Sequence, residues 1–104
     1  MKIYRIILSD DAFDDIEHIL HYIAKDQGSP LNAERWCKKV LKEIYSLEKM
    51  PERCPYAPEN NESDLTIRML RIDSCLFLYC IVEKTNTVEI LRVRHGSRQP
   101  YRID

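Results

Sequence analysis

The sequence is poor in glycine and has no long apolar run. It holds two glycines in 104 residues, and no internal repeat or low-complexity tract is visible. No apolar stretch approaches the roughly 18–20 residues that a membrane-spanning helix needs. Residues 1–8, MKIYRIIL, are too few for a secretory signal and contain no cleavage site. These absences predict a single domain, residues 1–104, with no contact with a membrane.

The cysteines lack the spacing of a metal site or a redox motif. Cys37, Cys54, Cys75 and Cys80 form no C-x-x-C pair, and no histidine pair at zinc-finger spacing accompanies them. Scattered thiols of this kind are typical of a reducing compartment. We therefore expect free cysteines, a cytoplasmic location and no metal or other cofactor.

The chain has almost no net charge, but its charges are unevenly distributed. The formal net charge of −1 argues against a protein that coats nucleic acid through an overall positive charge. Residues 1–65 carry 9 Lys and Arg against 13 Asp and Glu, or −4, whereas residues 66–104 carry 7 against 4, or +3. The positive surplus therefore lies in the C-terminal part of the chain.

A short strand and two helices are predicted for the first half. Residues 3–8 are β-branched and apolar, which favours a strand. Ser9 suits a helix N-cap, and apolar residues then recur at helical spacing until Gly28 ends the helix. Residues 29–30, Ser-Pro, begin a second helix with one apolar stripe, and residues 50–51, Met-Pro, end it. Helices joined by so few residues form an antiparallel hairpin.

A long loop and three strands are predicted for the second half. Residues 51–65 hold three prolines and an acidic run. Strands are expected at 66–72, 75–83 and 87–95, with a tight hairpin turn at residues 85–86. The second of these strands is apolar on both faces, so it should lie centrally in the sheet. The order β-α-α-β-β-β predicts an α+β fold, with a helical hairpin packed on a small, mostly antiparallel sheet.

Two features of the helices have a simple structural explanation. Asp14, His18 and His21 could share a helix face and bind a metal, but no other segment offers a completing ligand. A solvated acidic helix start is therefore the favoured interpretation. Trp36 lies on the apolar stripe of the second helix, where core packing is favoured over a role as an anchor for a partner.

Positive charge is concentrated at the end of the last strand. Arg92 and Arg94 should point the same way and His95 the other way, because side chains alternate along a strand. Guanidinium groups bind phosphates and carboxylates equally well, so an anionic partner is indicated without being named. Salt bridges around a solvated tail are the alternative explanation. The whole basic set comprises Arg68, Arg71, Arg92, Arg94, His95, Arg98 and Arg102.

The ordered motifs resemble the RelE/ParE toxins of bacterial type II toxin–antitoxin modules. LSDDAFDDIEHILHYI resembles their opening pattern, S-x-x-A-x-x-D-[LI]-x-x-I-x-x-Y-[IL], and SPLNAERWCKKVLKEIYSLEKMP is similar to their second helix. In the strand block an R-x-L at Arg68 is followed eleven residues later by Tyr79. The block ends in H-G-x-R at residues 95–98, which favours the ParE-like, plasmid-stabilisation branch.

The resemblance implies a protein partner and a surface at the C-terminal strand. In that family the strand faces the toxin's target, and an acidic antitoxin covers the same surface. A toxin–antitoxin hetero-oligomer is therefore expected, and the exposed edge of the first or second strand could pair with an antitoxin strand. The residues expected to bind target or antitoxin are Arg68, Arg71, Tyr79, Arg92, Arg94, His95 and Arg98.

The family divides into ribosome-dependent mRNA endoribonucleases and poisons of DNA gyrase. RNA cleavage would need a base, an acid and cations, for which Arg68, His95, Arg98 and Tyr101 are the candidates. The arginine that the nucleases carry three residues before the strand tyrosine is Leu76 here, and the loop ENNESD would repel RNA. The sequence therefore favours gyrase poisoning, which needs binding and no proton transfer. A different target and a degenerate copy that binds only an antitoxin are further alternatives.

Overall fold

The computed structural model of the chain describes residues 2–62 and 65–97, apart from the side chains of residues 61 and 62. The described part has the predicted β-α-α-β-β-β order, which confirms the α+β fold class. Its main elements are β1 (Arg5–Leu8), α1 (Asp10–His21), α2 (Pro30–Tyr45), β2 (Arg68–Ile72), β3 (Cys75–Val82) and β4 (Thr87–His95).

The four strands form one mixed sheet in the order β1-β4-β3-β2. β1 runs parallel to β4, and the other two pairs are antiparallel. β3 lies between β4 and β2 and is buried over most of its length, which confirms its predicted central position. β1 and β2 form the two edges of the sheet.

The helices begin at the predicted residues. The Ser9 hydroxyl accepts a hydrogen bond from the amide of Ala12 at 3.0 Å, and the Ser29 hydroxyl accepts one from the amide of Asn32 at 3.3 Å. Both contacts satisfy amides that the first helical turn leaves without partners. Gly28 has φ of +64°, so it takes the left-handed conformation that favours glycine after a helix.

The end of the first helix differs from the prediction. α1 stops at His21 and continues as a single π-helical turn over Tyr22–Asp26. The amide of Gln27 donates to the carbonyl of Tyr22, five residues earlier, at 3.0 Å. Apolar periodicity cannot distinguish this wider turn from an α-helix, because the two differ by one residue per turn.

The predicted two-residue hairpin turn between β3 and β4 is wrong. A 3₁₀ turn at Glu83–Thr85 and then Asn86, with φ of +48°, join the strands. The amide of Asn86 donates to the carbonyl of Glu83 at 3.2 Å, and the Glu83 carboxylate accepts from the Tyr4 hydroxyl at 3.1 Å. These contacts stabilise a four-residue loop that extends the hairpin toward the start of the chain.

A β-bulge interrupts the pairing of β3 with β4. Tyr79 pairs with Ile90 and Leu78 pairs with Arg92, so Leu91 is the extra residue. Ile90 and Val93 both belong to the main core, although they are three residues apart. A strand without a bulge would place residues at that spacing on opposite faces.

Each face of the sheet has its own apolar cluster. The main core lies between the helices and the sheet, where the rings of Trp36 and Phe77 are 6.2 Å apart. Trp36 is only 8% exposed, which confirms its predicted core role. On the opposite face, the loop between α2 and β2 contributes Ala57 to a smaller cluster with Ile67, Leu76 and Leu78. No helix in the described part of the chain is long and apolar enough to span a membrane.

Candidate functional site at the end of the last strand

The last half of β4 has a helix beside it in place of a strand. β1 pairs with β4 only as far as Ile90. Beyond that point the Ser9 hydroxyl donates to the carbonyl of Leu91 at 2.8 Å, and the Asp15 carboxylate accepts from the amide of Val93 at 2.9 Å. Side chains of the helix N-cap and of α1 therefore replace the missing strand and hold the end of β4 in position.

Arg92 forms an ion pair with the same helix. Its Nε and Nη2 donate to the two carboxylate oxygens of Asp15 at 2.9 and 3.1 Å. The Arg92 side chain is 32% exposed, and that of Asp15 is 14% exposed. This paired geometry is the usual one for a guanidinium and a carboxylate. Part of the predicted positive charge of Arg92 is thus neutralised within the chain, although an edge of the guanidinium is accessible.

Arg94 is buried, which corrects its expected place on an exposed surface. Its Nε donates to Glu59 at 2.6 Å, and Nη2 donates to the other carboxylate oxygen at 3.3 Å. Both side chains are almost completely inaccessible, at 3% and 0%. Glu59 belongs to the loop ENNESD, which was expected to repel RNA, but this carboxylate turns inward. A buried charge requires such a partner, because the protein interior solvates ions poorly.

Arg68 and Tyr79 hold a loop against the sheet. They face each other across β2 and β3. Arg68 donates to the carbonyls of Glu52 and Cys54 at 2.9 and 2.7 Å, and its guanidinium lies 4.5 Å from the ring centre of Tyr56.

Tyr79 is fully buried, and its hydroxyl donates to the carbonyl of Pro51 at 2.5 Å. Its expected place on a target-binding surface is therefore corrected, because no part of its side chain is exposed. Arg68 is only half-buried, but its donors are largely occupied. The R-x-L and tyrosine motif accordingly has a structural role in the free chain, where it fixes the segment before β2.

Burial raises the pKa of Tyr79 above the ordinary tyrosine value of 10.0. The native state therefore keeps this proton at a pH where the unfolded chain loses it, so stability decreases as the pH rises above about 10. We expect Tyr79→Phe to flatten this decline by up to about 1.4 kcal/mol per pH unit, although the lost hydrogen bond costs about 1–3 kcal/mol at pH 7. Urea unfolding between pH 7 and about 11 measures both effects.

The matched control is Tyr45→Phe. Tyr45 is 54% exposed, so its removal should leave the alkaline decline unchanged. An identical decline in wild type and Tyr79→Phe would contradict the assigned role of the buried hydroxyl. Burial also raises the pKa of Cys75 and Cys80, and both thiols add to the decline in every variant.

Arg71 and His95 are exposed at the same end of the sheet. In the described part of the chain Arg71 makes no ion pair or hydrogen bond, and a Cβ placed on Gly96 would lie 3.5 Å from its Nη2. Gly96 follows β4 in a turn, but its φ is not positive, so backbone freedom does not explain the glycine. The Arg71 guanidinium lies close to the Gly96 backbone, at ordinary van der Waals distance from the position of a Cβ.

The geometry around His95 defines which ring nitrogen carries the proton. Nδ1 accepts a hydrogen bond from the amide of Ser97 at 3.1 Å and lies 2.7 Å from the Ser97 hydroxyl. An amide can only donate, so the proton of the neutral ring is on Nε2. The exposed nitrogen is therefore a hydrogen-bond donor and cannot accept a proton in this tautomer.

An open cleft of about 910 Å³ lies between the π-helical end of α1 and the ends of β3 and β4. Its acidic groups already have partners, since Asp15 contacts Arg92 and Asp73 contacts Lys39 at 2.6 Å. No group of three or more His, Cys, Asp or Glu side chains in residues 2–62 and 65–97 could hold a metal ion. Residues lining the cleft include Asp15, His18, Ile19, Trp36, Arg94 and His95.

The structure therefore separates the predicted site residues into two groups. Arg71 and His95 are exposed at one end of the sheet, and Arg92 is partly exposed on the last strand beside α1. Arg68, Tyr79 and Arg94 stabilise loops, whereas Arg98, Tyr101 and Arg102 lie outside the described residues. The sequence analysis missed Asp15 and Glu59, the acidic partners of the last strand.

Solved structures of toxin–antitoxin systems are similar to this fold, among them the following three. The chromosomal ParDE system of P. aeruginosa aligns with a TM-score of 0.66 and 15% identity, over 89% of this chain and 96% of that one. The RelBE2 toxin–antitoxin complex of Mycobacterium tuberculosis gives 0.61 and 22%, over 94% and 97%. The archaeal RelE–RelB complex of Pyrococcus horikoshii OT3 gives 0.58 and 16%, over 93% and 99%.

The sequence itself matches one family model. Among curated proteins none has a significant match to the chain. The model that matches describes the ParE toxin of the type II toxin–antitoxin system parDE, and the match runs from residue 6 to residue 100. It therefore includes every helix and strand of the fold except Arg5, the first residue of β1. The chain belongs to the ParE toxin family and is the toxin of a type II toxin–antitoxin module.

Proposed function

We propose that this toxin inhibits growth by binding DNA gyrase in the cytoplasm, and that a cognate antitoxin neutralises it by covering the same end of the sheet. The observation that carries the choice of gyrase is that the strand arginines form ion pairs and hydrogen bonds within the chain. Arg92 and Arg94 are paired with Asp15 and Glu59, and Arg68 donates to loop carbonyls. These contacts support a surface of fixed shape.

The alternative is a ribosome-dependent mRNA endoribonuclease, and His95 is the observation that favours it. The ring is exposed at the same end of the sheet as Arg71 and lines the open cleft. Cleavage by attack of a 2′-hydroxyl needs a base, and the outward Nε2 carries a proton. No second histidine or carboxylate in the described residues contacts the His95 ring. This geometry supports binding more than proton transfer.

The proposed antitoxin contact combines apolar and acidic groups. The cleft offers Ile19, Ile23 and the edge of Trp36, and its rim offers His18 and His95. An antitoxin segment with apolar side chains between acidic ones would fit this combination, because apolar burial supplies affinity and charge supplies orientation. The complexes among the structural relatives support a protein partner for this chain.

Two assays test the choice of target. With purified toxin we expect inhibition of gyrase supercoiling and an accumulation of trapped DNA breaks. After induction in cells we expect primer extension to find no mRNA cuts positioned by codons. Cuts at codon positions together with unaffected supercoiling would reject the gyrase proposal and favour the endoribonuclease. Unimpaired growth at good soluble expression would reject toxicity in this chain altogether.

A further inference from the structure

In the described part of the chain, the outer edge of β1 is open at Ile6 and Leu8, although just before the strand the amide of Tyr4 donates to the carbonyl of Glu48 at 2.9 Å. The outer edge of β2 is covered by its own loop, since the amide of Ala57 donates to Ile67 at 2.9 Å and the amide of Met69 donates to Pro55 at 3.0 Å. The free end of β4 is covered by Ser9 and α1, as described above. An uncovered edge is a template for pairing with another strand.

The hydrogen bonds of β1 define which of its groups face outward. The amides of Arg5 and Ser9 donate inward, to the carbonyls of Asn86 and Ile90, at 2.8 and 2.9 Å. By alternation the main-chain groups of Ile6 and Leu8 point away from β4, and in the described residues they have no partner. A pairing strand would therefore bond at these two residues.

The side chains along this edge are apolar and accessible. Ile3, Ile7 and Leu8 are 62%, 38% and 36% exposed. Phe13, on the adjoining first turns of α1, is 53% exposed. Natural edge strands are usually protected by charge, proline or a covering segment. The exposure of this group indicates a surface that another chain covers.

We propose that β1 pairs antiparallel with β1 of a second copy of this chain, which makes a continuous eight-stranded sheet across a two-fold axis. If Ile6 exchanges hydrogen bonds with Leu8 of the second copy, symmetry places Ile7 opposite its own equivalent. Apolar side chains directly opposite each other stabilise a non-hydrogen-bonded antiparallel pair. The outward geometry of residues 6 and 8 thus gives a register in which the exposed isoleucines meet.

The same register brings opposite charges together. Arg5 would lie opposite Ser9 of the second copy, which is followed by Asp10 and Asp11. All three charged side chains are exposed, and in the described part of the chain none of them has a partner in its own copy. Each copy would supply one Arg5 and one pair of aspartates, so the same contact would form twice across the two-fold axis. This self-complementarity favours a second copy over an acidic partner strand, which would satisfy Arg5 alone. The proposal does not depend on whether gyrase is the target.

The test is the oligomeric state of the toxin made by cell-free synthesis. Sedimentation and light scattering from about 1 to 200 µM should show a dimer that dissociates on dilution, since association follows mass action. Ile7→Asp places two carboxylates face to face at the axis and should weaken the dimer at least tenfold. Val82→Asp is the control, because Val82 is 39% exposed on the same sheet but lies at the end of β3.

Charge reversal and hydrogen exchange test the register. Arg5→Asp should weaken the dimer, and adding Asp10→Arg and Asp11→Arg should restore it. The amides of Ile6 and Leu8 should exchange slowly at high concentration and rapidly at low concentration. A monomer throughout the range would overturn the proposal, as would a dimer that Ile7→Asp leaves intact. Protection of these amides only in a complex with the antitoxin would make β1 a docking strand for that partner and would also overturn it.

Discussion

Glu59→Ala is expected to destabilise the protein by about 3–5 kcal/mol, because it leaves the buried guanidinium of Arg94 without its carboxylate partner. The two side chains are 0% and 3% exposed, so water cannot replace the lost contact without opening the loop. The free energy of unfolding in urea measures the loss, and the total stability of a domain this size is commonly about 5–15 kcal/mol. The variant should therefore keep a much smaller margin of stability than the wild type.

Two further variants separate the buried charge from simple loss of a side chain. Glu34→Ala removes one partner of an exposed ion pair with Lys38 on α2, where we expect a change of at most about 0.5 kcal/mol. Combining Glu59→Leu with Arg94→Met removes both charges, and it should recover most of the stability that Glu59→Ala loses. If the double replacement were as unstable as Glu59→Ala, loop packing would be the cause of the loss.

Arg71→Glu is expected to lower gyrase inhibition by about 10- to 100-fold, while the free energy of unfolding changes by less than about 0.5 kcal/mol. Arg71 is exposed and makes no ion pair in the described residues, so its reversal breaks no internal contact. A charge-assisted hydrogen bond to a partner contributes about 1.5–3 kcal/mol, which corresponds to that range of affinity. Inhibition of supercoiling, measured against toxin concentration, gives the change directly.

The comparison with His95→Gln identifies the chemistry of the site. Glutamine keeps a hydrogen-bond donor but cannot transfer protons, so we expect most of the toxicity to remain. Loss of a general acid or base typically costs about 100-fold or more. Lys84→Glu, in the loop at the other end of the sheet, controls for the change in net charge of Arg71→Glu and should leave gyrase inhibition unchanged. Clean mRNA cuts that disappear in His95→Gln would reverse the assignment to gyrase.

The fold was predictable because its signals are local. Ser9 and Ser29 satisfy the amides of the helices they precede, and β3 is apolar on both faces because it is covered on both. The π-helical turn after His21 and the four-residue loop at residues 83–86 were not predictable in the same way. The loop depends on a contact with a residue distant in sequence, the hydrogen bond of Tyr4 to Glu83, and the π-helical turn has the same apolar spacing as an α-helix.

The candidate site was predictable only in part. The sequence places Arg92, Arg94 and His95 at the end of a strand, and the structure has them there. It does not show that Glu59, in a polar loop, turns inward to meet one of these arginines. An acidic residue in such a loop has the same local signal whether it is solvated or buried. The pairing arises from tertiary packing, so the number of available guanidinium groups is smaller than composition suggests.

The bulge at Leu91 determines what β4 presents on each face. Before it, the even-numbered residues Val88 and Ile90 face the helices, and after it the odd-numbered Val93 does. The extra residue therefore changes which residues face the helices, from the even-numbered ones in the apolar half to the odd-numbered ones in the basic half. If the same residues paired without the bulge, strict alternation would direct Arg94 into the apolar layer and Val93 away from it. The bulge itself is thus as important as the composition of β4, because regular pairing of the same residues would exchange the core and the site.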